Sequence, residues 1–138
     1  MVRWGRREQR VMDVAKQIAY WRDGAAEDIR AARILVDKRC ERHGLFFAHL
    51  AIEKLLKAHI VRSVGGVPPK IHVLPRLAEL AGLRIPQEHQ SFIRRFDRYQ
   101  AMGRYPDASA PRIPQRRARE LLEETEEVYE WLTALFSE

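Results

Sequence analysis

The chain has 138 residues, enough for one domain with a core that needs no covalent staples. With 46% hydrophobic and 32% charged residues it reads as a soluble, helix-rich protein, and no apolar run approaches the roughly 18 residues of a membrane span. Its net charge of +6 favours acidic or phosphate-bearing partners, while a single cysteine, Cys40, excludes an internal disulfide and a multi-cysteine zinc site.

The opening MVRWGRREQR is basic but runs into no apolar segment, so it is not read as a secretory signal, and a cytoplasmic location is expected. Residues 1–12 read as an N-terminal arm or helix extension, and residues 13–138 as the domain proper. From about Asp13 to Arg42 the pattern is helical. Val14, Ile18 and Trp21 begin an apolar line that Ala25, Ile29, Ala32 and Val36 continue. Gly24 interrupts it at a cost of about 1 kcal/mol relative to alanine, and marks either a kink or a junction. Arg42-His43-Gly44 is the expected stop, with glycine near the C′ position.

The second expected helix, Gly44 to Val64, is the most apolar stretch of the chain. Phe47, Leu50, Ala51, Leu55 and Ala58 share adjoining stripes, and Ile52, Leu56 and Ile60 widen the buried arc, as in a helix packed on several sides. His49, Glu53 and Lys57 form a narrow polar strip along it. Glu53 precedes Lys57 by four residues, an ion pair worth only a few tenths of a kcal/mol on a solvated face. Gly65-Gly66 followed by Val67-Pro68-Pro69 ends the helix.

A short helix fits Leu74 to Leu80, closed by Gly82. Another starts near Pro86 and extends to about Met102, with Phe92, Phe96 and Tyr99 inward and Arg94, Arg95 and Arg98 outward. Gly103 to Pro114 is a loop. A last helix from about Pro114 to Phe136 keeps a three-four apolar spacing over five turns. No stretch alternates with period two. The expected fold is all-α, an up-and-down four-helix bundle with one additional short helix.

Charge is unevenly spread. Residues 84–119 hold nine arginines against three acids, and residues 120–138 hold seven glutamates and no lysine or arginine. Of the 25 basic residues, 20 are arginine, which suits bidentate contact with phosphate or carboxylate, although arginine richness also follows from genome composition. The acidic end can neutralise the basic stretch within the fold or in a homodimer. Arg116–Glu120 and Arg119–Glu123 are candidate local pairs. His49 and Glu53 have the spacing of metal ligands on a helix, but no third ligand is in view, so no metal and no cofactor is expected.

The order of several motifs resembles a known family. Tyr20-Trp21-Arg22 leads to Asp28-Ile29 and Ala32, and Phe47-Ala48-His49-Leu50-Ala51-Ile52-Glu53-Lys54-Leu55-Leu56-Lys57-Ala58 follows. Then come a Gly-Pro loop with His72, and finally Arg104-Tyr105-Pro106-Asp107. This succession is similar to the HEPN domain, named for higher eukaryotes and prokaryotes and for proposed nucleotide binding, over roughly residues 18–136. The resemblance implies a helical bundle that dimerises, often with a small nucleotidyltransferase as partner, in toxin–antitoxin-like pairs. Many members are metal-independent ribonucleases whose signature is an arginine followed after four to six residues by a histidine.

Here no histidine follows Arg104. Arg84 and His89 have the formal spacing, but Ile85-Pro86 places them at a loop or helix start. The resemblance therefore implies a nucleotide- or RNA-binding or interaction module, with Glu53, Lys54, Lys57, Arg104, Tyr105 and Asp107 as ligand-binding candidates. The alternatives are a ribonuclease using Arg104 with a displaced histidine, His72 or His89, and a purely structural dimerisation domain. His72 can instead cap the third helix or hydrogen-bond Glu53. Glu53, Lys54 and Lys57 can equally tie the central helix to its neighbours, and Asp107 can hold Arg104 in a structural corner.

Overall fold

The computed structural model describes residues 6–100 and 112–137, with side chains from residue 14 onward. The described residues form five α-helices and a closing 3-10 turn, with no strand among them. They are α1 (Arg6–Asp37), α2 (Glu41–Val64), α3 (Leu74–Ala81), α4 (Gln87–Phe96) and α5 (Gln115–Ala134), with the turn over Leu135–Ser137. The all-α class read from periodicity is the observed one. No helix among the described residues is long and apolar enough to cross a membrane.

α2 is the axis of the structure, and it packs against α1, α3 and α5. Leu45, Ala48, Ala51, Ile52, Leu55, Leu56, Ala58 and Val61 are all fully or almost fully buried. Alanines 48, 51 and 58 keep the neighbouring helices close, and the leucines fill the spaces between them. From α1 the core receives Ala25, Ile29, Ala32 and Val36, and from α5 it receives Ala118, Leu121, Val128 and Leu132. Phe92 and Phe96 of α4 stack at 4.9 Å and close the far side.

Two boundaries differ from the sequence reading. The α1–α2 turn falls at Lys38–Cys40, with its centre, Arg39, five residues before Gly44. Arg39 takes the left-handed conformation (φ 67°), Cys40 N–H donates to Leu35 O (2.7 Å), and Arg39 N–H donates to Val36 O (3.1 Å). This is a Schellman termination with arginine at C′, where glycine is usual. Gly44 is instead inside α2, facing α1. A β-carbon there would lie 2.6 Å from Val36 Cγ2 and 3.0 Å from Val36 N, so the glycine is required by helix–helix approach. α1 runs continuously through Gly24, where a β-carbon would crowd Lys54 Cδ at 3.1 Å.

The other difference is α4, which ends at Phe96 before a turn at Asp97–Arg98. Asp97 is withdrawn from the helical surface because its carboxylate serves α3. Asp97 Oδ1 accepts the backbone N–H of Leu74 at 2.9 Å, a donor at the start of α3 that Val73 at the N-cap leaves without a side-chain partner.

At the other end of the bundle, α5 and the 3-10 turn are held to α2 by side chains. His59 Nε2–H donates to Leu132 O (2.8 Å) and its ring stacks on Phe136 at 3.9 Å. Arg62 Nη1 donates to Leu135 O (3.1 Å), and the guanidiniums of Arg22 and Arg62 both lie over the Phe136 ring.

The acidic stretch partly neutralises the basic one within the chain. Arg95 meets Glu124 at 3.4 Å, and Arg116 and Arg117 both meet Glu120. Arg119 pairs with Asp37 of α1 at 3.4 Å, in place of the expected Glu123.

Candidate functional site

The polar strip His49–Glu53–Lys57 is not solvated. Glu53 is 3% exposed, Lys57 5%, and His49 is fully buried. Burial of charge in an apolar helix face costs several kcal/mol per ion unless partners are supplied, and here they come from three other segments as well as from α2 itself.

Glu53 is the hub. Its Oε2 accepts from Lys57 Nζ at 3.2 Å and from His72 Nδ1 at 3.0 Å. Lys57 Nζ also lies 5.3 Å from the centre of the Trp21 ring on α1, so the ammonium sits between a carboxylate and an aromatic face. His72 arrives from the Gly-Pro connection between α2 and α3. The lack of helix over Gly66–Val73 lets the chain return alongside α2. The imidazole spans the boundary: its side chain is 41% exposed, and Nδ1 reaches inward to a carboxylate that is 4% exposed.

His49 forms the second arm. Its Nε2 donates to Asp97 Oδ1 at 3.1 Å, and its Nδ1 faces Glu53 Oε1 at 3.9 Å without a hydrogen bond. Burial pushes the Asp97 carboxyl up, but the His49 and Leu74 N–H bonds outweigh it and hold the group below the usual carboxylate range.

A third arm lies on the α1 side, where Lys54 Nζ is 2.7 Å from Asp28 Oδ2. Here burial wins, and the Asp28 carboxyl is raised despite the ammonium beside it. The open surface at Gly24 is what gives the Lys54 stem room to lie across α1.

Three of the sequence-derived candidates, Glu53, Lys57 and His72, therefore come together, on α2 and on the connection behind it, while Lys54 pairs with Asp28 of α1. Arg104, Tyr105 and Asp107 lie outside the described residues. His72 makes the Glu53 hydrogen bond considered for it, and the α3 N-terminus is served by Asp97 instead. His89 is set apart, its ring against Trp131 at 5.7 Å, in a cleft with Arg95 and Glu124. Arg84 is exposed in the α3–α4 connection. Sequence reading did not assign roles to Asp97, Asp28 or Trp21 in this network. A carboxylate directly after an aromatic helix end, and one within α1's apolar line, were the available signals. Among the described residues no group of three or more His, Cys, Asp or Glu converges with the geometry of a metal site.

The arrangement can present one oriented imidazole at the surface, with its Nδ1 proton fixed by a buried carboxylate. Charge on that carboxylate is balanced from inside by Lys57. Such a group can hold an anionic oxygen or exchange a proton.

Comparison with known proteins places the chain in a family. The model of the HEPN domain matches residues 18–135. The fold is similar to the crystal structure of TT1696 from Thermus thermophilus, with a TM-score of 0.71 and 23% identity over 86% of this chain and 97% of that one. It is also similar to ST0689, an archaeal HEPN homologue, with a TM-score of 0.65 and 19% identity over 86% and 96% of the two chains. At these identities the likeness concerns the fold. No curated protein sequence matches the chain. The family match spans the bundle from Ile18 within α1 to the closing turn, including every residue of the Glu53 network, and the chain belongs to the HEPN domain family.

Proposed function

We propose that the protein is a nucleotide- or RNA-binding and interaction module, homodimeric, and paired with a small nucleotidyltransferase in a toxin–antitoxin-like couple. Family membership supports this reading, and the observation that carries it is the His72–Glu53 pair. A half-exposed imidazole backed by a buried carboxylate is suited to contact a phosphate oxygen at the surface. Arg104 and Tyr105 join it as ligand contacts on the strength of the family resemblance. Glu53, Lys54 and Lys57 act from behind by fixing α2 and the His72 ring.

Copurification with a small nucleotidyltransferase, together with nucleotide titrations of wild type and His72→Ala, tests the proposal. A stable complex is expected, with nucleotide affinity lowered on the order of tenfold by the substitution. Neither partner nor nucleotide binding would sink it.

A second reading, a metal-independent endoribonuclease using Arg104 and His72, is favoured by the tautomer. Donation from Nδ1 to Glu53 orients the ring and supports this reading. Cleavage of total RNA in EDTA that is lost in both Arg104→Ala and His72→Ala would establish it. Intact RNA with the wild-type protein would leave the binding module.

A further inference from the structure

A cavity of about 660 Å³ opens where the α1–α2 turn meets the start of α5, well away from Glu53. Glu41 and Glu53 are twelve residues apart on α2, about 18 Å along its axis. Three arginines line it, Arg39 and Arg42 from the turn and the first turn of α2, and Arg112 from the segment leading into α5, with His43 beside them. The acid on its wall is Glu41, which lies 3.7 Å from Arg39 Nε. Arg116 and Arg117, in the first turn of α5, share Glu120. Among the described residues the wall thus sets three guanidiniums against one carboxylate.

The backbone adds to that field. α2 and α5, of 24 and 20 residues, both begin at this cavity. Neither Cys40 nor Pro114, at the two N-caps, makes a side-chain capping bond, and α5 has no acid in its first turn. Gln115, which could serve as a neutral partner, donates instead to Val36 O at the end of α1. α2 carries Glu41 in its first turn and α5 carries no acid there, so three guanidiniums and the positive end of α5 border a ligand-sized space that favours an anion.

The lining also says which anion. Among the described residues no Phe, Tyr or Trp lines the cavity, so none of them offers a platform on which a base would stack. We infer that it is a polyphosphate site, taking the diphosphate or triphosphate group of a small ligand by its phosphate oxygens and indifferent to the base.

Inorganic triphosphate, titrated calorimetrically into the full chain at low and at physiological salt, tests this. Binding is expected, with ATP and GTP of similar affinity, adenosine inert, and affinity falling as salt rises. Arg42→Ala with Arg112→Ala should weaken triphosphate binding on the order of a hundredfold, about tenfold for each charge-assisted contact. Arg76→Ala, paired with Glu79 on α3, should change nothing. Arg112→Gln alone, outside any helix, gives the answer if the double variant does not fold. Failure of triphosphate to bind, unaltered binding by the arginine variants, dependence on the base, or binding of RNA alone would each overturn the inference. His72→Ala should leave this binding intact, so the present site and the Glu53 site stand or fall separately.

Discussion

Gly44 stands so close to Val36 that a β-carbon on the glycine would come within 2.6 Å of Val36 Cγ2. Gly44→Ala gains up to about 1 kcal/mol of intrinsic helix propensity, but it must also push α1 and α2 apart where Gly44 meets Val36. A net loss of roughly 2 kcal/mol is expected in urea unfolding. A neutral or stabilising result would show that the two helices separate freely there.

Arg39 occupies a left-handed position that costs a non-glycine residue roughly 1 kcal/mol or more. Arg39→Gly should therefore raise the unfolding free energy by about 1 kcal/mol, while weakening the binding of triphosphate in the adjacent cavity. A stabilised variant with undiminished affinity would remove Arg39 from that site and leave the strain as a purely local matter.

Glu53→Gln keeps the shape of the side chain but leaves the buried Lys57 ammonium without its carboxylate. The expected loss is on the order of 3 kcal/mol. Adding Lys57→Met should return most of it, because the unpaired charge, rather than a lost contact, causes the damage. Additive losses in the double variant would contradict this account.

His59 gives the structure an acid-sensitive joint. Burial pushes its imidazole down to about 4; the bond to Leu132 O opposes this, and the cations Arg62 and Arg22 add to the fall. The unfolded chain takes up a proton near pH 6.5 and the folded chain only near pH 4. Stability from this group is therefore complete above pH 6.5 and lost as pH falls from 6.5 to 4, by roughly 3 kcal/mol. Denaturant midpoints at pH 7 and pH 4.5 should diverge in the wild type and much less in His59→Phe. Equal divergence would place the acid sensitivity elsewhere.

The bundle was legible because its apolar spacing is strong. Ala118, Leu121, Leu122, Thr125, Val128 and Leu132 mark α5, and all are buried. The α1–α2 boundary was not, since Gly44 carries the local signal of a helix stop while its use is set by Val36, a residue of another helix. Asp97 shows the same limit. Nothing near it in sequence reveals that it receives His49 from 48 residues away and Leu74 N–H from 23 away. The motif around Glu53 identified residues that do meet, whereas its reading as a solvated ion pair failed, because helical periodicity places a side chain on a face without saying what covers that face.

The pins that hold the last helix also divide the molecule in time. α1 and α2 are joined by a three-residue turn, so their docking closes almost no loop. The bonds from His59 to Leu132 and from Arg62 to Leu135 each span 73 positions and wait until the C-terminal segment has come back. Weakening the hairpin at Gly44 should therefore slow folding, whereas weakening the His59 pin should chiefly hasten unfolding. The C-terminal turn then sets how long the folded molecule lasts, and the first turn sets how quickly it arrives.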